Sequence, residues 1–299
     1  MSKIIRAGSL VLASAIALGL AGCGDDESPT ESNIKPSFVG AVTKNSYDGT
    51  TDDLLTAGLG KSGLAGAAPA IAVPASPTAA ELRKLAIYNN YRALVDVATN
   101  GGYGSLYGPN IDNDGNPTLG EGKVAGTEYL AYADDGTGKL NVTMMVQIPA
   151  SFDVNKPCMV TATSSGSRGV YGAIGTSGEW GLKRGCVVAY TDKGSGSGIH
   201  DRAADTVNTQ NGIRAGAVAA GKNSNFTSEL TAAELAAFNA RHPTALRSST
   251  RIRSKIQNAM GGATLSTRSV SRSMHSTKSA RGATVTVRPR STSGLATRS

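Results

Sequence analysis

Three runs decide the reading of this chain: NVTMMVQIP (Asn141–Pro149), CMVTAT (Cys158–Thr163) and CVVAYT (Cys186–Thr191). The first alternates apolar and polar residues, as a half-buried strand does. The other two are short apolar runs suited to fully buried strands. Between them lies Ser164–Gly185, a Gly/Ser turn followed by a helix-compatible segment around Gly178–Lys183. Strand, glycine turn, helix and strand within about thirty residues make a βαβ unit. Parallel sheets place reactive groups at the carboxyl ends of their strands. Two loops of small residues fall there, TSSGSRGVYG (Thr163–Gly172) and TDKGSGSGIHD (Thr191–Asp201). The expected fold class is α/β, with a parallel sheet that is incomplete in this chain.

Working outward, residues 1–22 read as a signal peptide. Lys3 and Arg6 give a positive start, and Leu10–Leu20 is an apolar run too short to span a bilayer. Leu20-Ala21-Gly22-Cys23 then has the form of a lipobox, with Cys23 as the lipidated residue; an ordinary secretory signal is the alternative. Either way the chain is expected to be exported, as a secreted protein or a periplasmic or outer-membrane lipoprotein, in a compartment that permits disulfides. Cys158 and Cys186 can then pair, or remain two buried thiols. Residues 23–37 are polar and proline-containing, a linker. Ser46–Ala72 shows no regular element beyond a turn or two. Pro77–Asn100 is the clearest helix, with Thr78 as cap, Glu81 at the third position, and Leu82, Leu85, Ala86, Tyr88, Tyr91, Leu94 and Val95 near helical spacing. Gly101-Gly102 is its expected stop. Ser228–Arg241 reads as a second helix, capped by Ser228 or Thr231.

Three patterns invite a chemical reading and are outweighed by plainer ones. Asn110, Asp112, Asp114, Gly115 and Glu121 fall at positions 1, 3, 5, 6 and 12 of an EF-hand-like loop. However, Pro117 interrupts the loop and no helix flanks it, so a solvated turn is preferred and no metal is assigned. His200-Asp201 looks like half of a catalytic pair, but a loop histidine with one hydrogen bond is the commoner outcome. Gly166–Gly175 holds scattered glycines after a strand without the G-x-G-x-x-G of a dinucleotide site, and no cofactor is expected.

The net charge of +8 is unevenly spread. Residues 1–242 carry 19 Lys and Arg against 22 Asp and Glu, whereas residues 243–299 carry 11 basic residues and no carboxylate. That tail also holds 21 Ser and Thr and no aromatic residue, so it cannot bury a core and is expected to be disordered. A basic arm for nucleic acid or an anionic polymer, on a lipid-anchored surface protein, is one account. A frameshift is the preferred one. Reading the codons of Arg247–Lys278 two bases along, with suitable wobble bases, restores acids and aromatics in an amphipathic pattern.

At GTTDDLLTAGLGKSGL (Gly49–Leu64), ELRKLAIYNNYRALVD (Glu81–Asp96), GTEYLAYADDGTG (Gly126–Gly138) and TATSSGSRGVYGAIGTSGEWGLKRGC (Thr161–Cys186), the chain resembles the bacterial D-(−)-3-hydroxybutyrate oligomer hydrolases. The likeness runs from about Pro36 to about His242. It implies an α/β-hydrolase-like domain over residues 38–242, and an exported serine esterase that cuts short 3-hydroxybutyrate esters. The small ester oligomer is then the expected partner, with no nucleic acid, and with membrane contact only through a lipid anchor at Cys23. The family's charge-relay serine, in an S-x-S-N-G segment, is expected beyond Ser299, so no catalytic residue is assigned and the chain alone is expected to be inactive. Ser164, Ser165 and Gly166 are the candidates for an oxyanion or substrate loop, since TSSGSRG lacks the G-x-S-x-G elbow of a nucleophile.

Overall fold

The computed structural model describes residues 35–133, 141–164, 168–194, 198–228 and 231–242, with the backbone of short strands at 246–248, 264–265 and 287–288. The signal peptide, Cys23 and most of the linker and tail lie outside the described residues, as do Ser165 and Gly166.

The central sheet has the order β1-β2-β3-β5-β4, built from β1 (Thr43–Tyr47), β2 (Gly126–Ala133), β3 (Val142–Pro149), β4 (Met159–Thr163) and β5 (Val187–Thr191). The sheet is mixed, which corrects the expectation of a parallel one. β1 runs antiparallel to β2, β2 to β3, and β3 to β5; the β4–β5 pair alone is parallel. Connection length accounts for two of these pairings, β2 with β3 and β4 with β5. Few residues separate β2 from β3, enough for an antiparallel return, whereas β4 and β5 are joined by a crossover long enough to carry α3 (Glu179–Lys183).

Burial follows position in the sheet. β5, between two neighbours, is buried at Val187, Val188, Ala189 and Tyr190. β4 has one neighbour among the described residues and leaves Thr161 and Thr163 exposed, so it is not the fully buried strand its composition suggests. β3 is buried at six of its eight positions rather than half-buried.

α2 (Ala79–Arg92) starts where the sequence places it. Thr78 Oγ1 accepts the Glu81 N–H at 3.2 Å, and Glu81 Oε2 accepts the Thr78 N–H at 2.8 Å, a closed capping box. It stops at Arg92, well before Gly101. Past that point the Asp96 carboxylate accepts the Ala98 N–H at 2.8 Å, a local bond that competes with helix continuation, and Leu94 is exposed. Its buried face is Arg83, Ile87, Tyr88, Asn90 and Tyr91, so Leu82 and Leu85 are not its core positions.

The segment Ser46–Ala72 holds the end of β1 and a short helix, α1 (Gly60–Ala65), where the sequence shows no regular element. Its order comes from one buried carboxylate. Asp53 accepts backbone N–H bonds from Leu55, Thr56, Gly58 and Val124, and this drives Leu54 and Leu55 into the core. There they meet Leu64, Tyr91, Met145, Ile174, Leu182, Val188 and Tyr190.

A second small sheet, ordered β8-β7-β6-β9, contains β6 (Ile199–Asp201), β7 (Thr206–Asn208), β8 (Arg214–Gly216) and β9 (Leu246–Ser248). α4 (Ala217–Ala220) follows β8, and α5 (Ala232–Arg241) is capped by Thr231 with Glu234. Within residues 243–299 the structure describes β9 and the pair β10 (Thr264–Leu265) and β11 (Val287–Arg288). No helix among the described residues is long and apolar enough to cross a membrane.

Cys158 and Cys186, each one residue ahead of its strand, form a disulfide with Cα atoms 4.8 Å apart. It closes a sequence separation of 28 residues and so pins β4 and β5 in register. Cross-linking a loop of this length stabilises by about 3–4 kcal/mol in the chain-entropy account. Replacing both cysteines by alanine should lower the urea-unfolding free energy by about that amount, and reducing agent should then have no further effect on the variant.

Candidate functional site

A cavity of about 440 Å³ opens between α2, β1, β2 and the carboxyl ends of β4 and β5. Its floor is charged. Arg83, on the buried face of α2, donates Nε–H to Glu128 Oε1 at 3.1 Å, Nη1–H to Asp52 Oδ1 at 3.0 Å, and Nη2–H to Glu128 Oε2 and the Asp53 carbonyl at 3.2 and 3.1 Å. Glu128 is fully buried in the middle of β2. It also accepts from Tyr171 Oη at 2.9 Å and Gln147 Nε2 at 2.8 Å, and Tyr190 Oη donates to Gln147 Oε1 at 2.7 Å. The Tyr47 ring lies 3.9 Å from the Arg83 guanidinium carbon, a cation–π contact. Burial pushes the Tyr47, Tyr171 and Tyr190 hydroxyls above the ordinary tyrosine range, with the Glu128 charge adding to it. Both Glu128 oxygens are occupied, so this carboxylate is a structural anchor rather than a base.

The wall at the strand ends is different. Gly169, at φ 72°, turns the chain after β4 into a 3-10 turn at Val170–Ala173, which brings Arg168 and Tyr171 to the cavity. Asp192 follows β5, is 5% exposed, and accepts from the Thr143 and Gly194 N–H groups at 2.9 and 2.8 Å. Burial raises its pKa above the ordinary 3.8, with those two bonds opposing. Asn141, just ahead of β3, completes this end with Thr143 and Asn225.

The residues singled out in the sequence are placed as follows. Ser164 is buried at the end of β4, and its backbone N–H donates to the Thr191 carbonyl at 2.9 Å. The Asn110–Glu121 loop is an Asx turn: Asp112 Oδ1 accepts from Asp114 and Asn116 N–H, and Glu121 is taken up by Ser62. Among the described residues no group of three or more His, Cys, Asp or Glu side chains is arranged to hold a metal. His200 is paired not with Asp201 but with Asp205, through Nε2 at 2.9 Å; its Nδ1 accepts the Ser228 N–H at 3.2 Å and lies 3.0 Å from Ser228 Oγ. Ser228, His200 and Asp205 thus have the composition of a catalytic triad. None of the three lines the cavity, however, and Arg202 Nη1 donates to the Ser228 hydroxyl at 2.6 Å.

The 3HB-oligomer hydrolase (3HBOH) family model matches residues 19–267. The chain belongs to this family. It is 65% identical over 236 residues to the D-(−)-3-hydroxybutyrate oligomer hydrolase of Polaromonas naphthalenivorans, covering 79% of this chain and 33% of the relative. It is 63% identical over 235 residues to that of Albidiferax ferrireducens, covering 78% and 33%. The protein of the same name from Burkholderia ambifaria is 64% identical over 225 residues, covering 75% and 32%. The chain therefore spans about a third of the length of these relatives. No solved structure matches it.

Sequence reasoning missed Arg83, Glu128, Gln147, Asn141, Arg168 and Asp192 as site residues. For Glu128 a signal was present: it lies two residues from Leu130 and shares its face of the strand, where burial demands a partner. Arg83 and Gln147 gave none, since each falls at a polar position of its own pattern.

Two outcomes follow from the floor and wall. Arg83→Met leaves Glu128 charged and buried, and should destabilise by about 3–5 kcal/mol. Adding Glu128→Leu should recover part of that loss in urea unfolding. For Asp192 the raised folded pKa means the stability it contributes is present below the unfolded value near 3.8 and is lost as pH rises through the folded value. Subtracting the Asp192→Asn curve from wild type should expose this fall, flat above it.

Proposed function

We propose that the chain forms the N-terminal part of an exported serine hydrolase that cuts the ester bonds of short 3-hydroxybutyrate oligomers, with an α/β-hydrolase fold. The observation that carries the reading is a cavity at the carboxyl ends of β4 and β5 in a chain of this family. The order β2-β3-β5-β4 supports the fold assignment, with β3 antiparallel to its neighbours and β4 parallel to β5, because an α/β-hydrolase sheet opens in this way. In such a sheet the loop after the strand equivalent to β4 supplies one oxyanion donor, the other coming from the residue after the nucleophile. Since the Ser164 N–H is committed to Thr191, the backbone N–H of Ser165 or of Gly166 is the proposed loop donor.

The serine attacks the ester carbonyl and loses its proton to a histidine. The carbonyl oxygen becomes an oxyanion held by backbone N–H groups, and the alcohol end leaves with that proton. Water then cleaves the acyl-enzyme to a free acid and regenerates the serine. The nucleophile and its partners are proposed to come from family sequence that these residues do not contain. Lipidation at Cys23, and with it anchoring outside the cytoplasm, is part of the same proposal.

The test compares the purified 299-residue chain with residues 1–242 continued by the downstream sequence of the Polaromonas naphthalenivorans relative. Release of 3-hydroxybutyrate from the linear dimer is followed. The continued chain should hydrolyse the dimer, the chain alone should not, and Ser228→Ala should leave the rate of the continued chain unchanged. Turnover by the 299-residue chain that Ser228→Ala abolishes would instead place the nucleophile at Ser228.

A further inference from the structure

Two residues that line the cavity each carry a buried polar atom whose bonding capacity the protein does not use. Asn141 is 5% exposed, and its Nδ2 donates to the Lys222 and Ser224 carbonyls at 3.0 and 2.7 Å. Both partners are acceptors, so the amide orientation is fixed by chemistry and Oδ1 is the remaining atom. That oxygen is buried with no donor among the described residues. Arg168 leaves Nη1 buried without an acceptor and forms no ion pair among the described residues. Its backbone is held in place, the carbonyl accepting from Asn90 Nδ2 at 3.1 Å. Both residues line the same cavity. Buried donors and acceptors without partners are uncommon and costly, and where two of opposite character share a cavity they describe a ligand.

We propose that this wall is a subsite for a hydroxy-carboxylic acid, with the free carboxylate on Arg168 and the hydroxyl donating to Asn141 Oδ1. A guanidinium offers planar N–H donors that match a carboxylate, whereas a lone carboxamide oxygen needs a donor that an anion such as phosphate lacks at full charge. Leu82 and Leu130 line the same space and suit a short aliphatic body between the two ends. The choice of 3-hydroxybutyrate units as that acid rests on the proposed ester hydrolysis; the pairing of a carboxylate with a hydroxyl rests on one unused donor and one unused acceptor among the residues of a single cavity. Arg168 is then a specificity-determining residue. It reads the free carboxyl terminus that every short oligomer carries and that the interior of a long polyester lacks.

The probes are 3-hydroxybutyrate, butyrate, which lacks the hydroxyl, and methyl 3-hydroxybutyrate, which lacks the charge. In calorimetric titration of the 299-residue chain, 3-hydroxybutyrate should bind about tenfold or more tightly than either comparator. Arg168→Gln should bring its affinity down towards that of the methyl ester. Equal binding of the three probes, no binding of any, or no change in their ranking in Arg168→Gln, would overturn the subsite. The continued chain gives a second readout that does not depend on the shorter chain. There kcat/KM for the dimer acid relative to its methyl ester should fall by about tenfold in Arg168→Gln, through KM. Hydrolysis with an unchanged acid-to-ester ratio overturns the subsite and leaves the reaction standing. Discriminating binding without hydrolysis of any ester supports the subsite and overturns the reaction.

Discussion

The buried contact between Arg83 and Glu128 ties together elements that have little else in common. Arg83 stands on α2, Glu128 on β2, Gln147 on β3 and Tyr171 in the crossover after β4, and all four meet in one hydrogen-bonded group. The same guanidinium reaches back to Asp52 and to the Asp53 carbonyl, at the start of the loop whose Leu54 and Leu55 enter the core. A buried ion pair is not in itself a strong source of stability, because desolvation offsets most of its attraction. What it supplies here is registration. A displacement of α2 along the sheet would strand a charge at either end, so the helix has one seat.

That seat defines the cavity. α2 forms one wall, and the carboxyl ends of β4 and β5 form the other, held together by the Cys158–Cys186 disulfide at the opposite ends of the same strands. The floor is chemically closed, since Arg83 uses four of its donor hydrogens and Glu128 uses both oxygens. Rigid, satisfied polar groups are poor reagents and good supports. The chemistry of the cavity is therefore left to the residues at the strand ends, where Asp192, Arg168 and Asn141 sit on loops.

The sequence was most legible where local pattern and local structure coincide. The β4–helix–β5 unit and the Thr78–Glu81 capping box are each encoded within a few residues, and each stands where the residues place it; of the two caps the sequence offers for the second helix, Ser228 and Thr231, the structure takes Thr231. Direction of strand pairing is not encoded locally, and the sheet turned out mixed because β1–β2, β2–β3 and β3–β5 pair antiparallel beside the parallel β4–β5 pair. The face of α2 was misjudged for a related reason. Leucines at helical spacing suggested an apolar stripe, but the buried face is chosen by what it meets, and what it meets is Glu128, which favours Arg83 over Leu82. His200 shows the same limit from the other side. Its neighbour Asp201 is the obvious partner in sequence, yet alternation along β6 sends consecutive side chains to opposite faces, and the bond goes to Asp205.

Two arginines line this cavity, and they differ in a way that sequence cannot express. Arg83 spends its donors on the protein, bridging two carboxylates and a carbonyl. Arg168 keeps a buried donor unspent, within the same enclosure as an asparagine oxygen in the same condition. If polar groups near a cavity served only to hold the fold, both arginines would be closed in the same manner, since an open buried donor lowers stability without return. The asymmetry separates support from recognition: Arg83, between α2 and the sheet, is complete, and Arg168 and Asn141, at the strand ends, each keep one buried atom open. In a fold whose ligands gather at strand carboxyl ends, the incomplete groups stand where a substrate would be read.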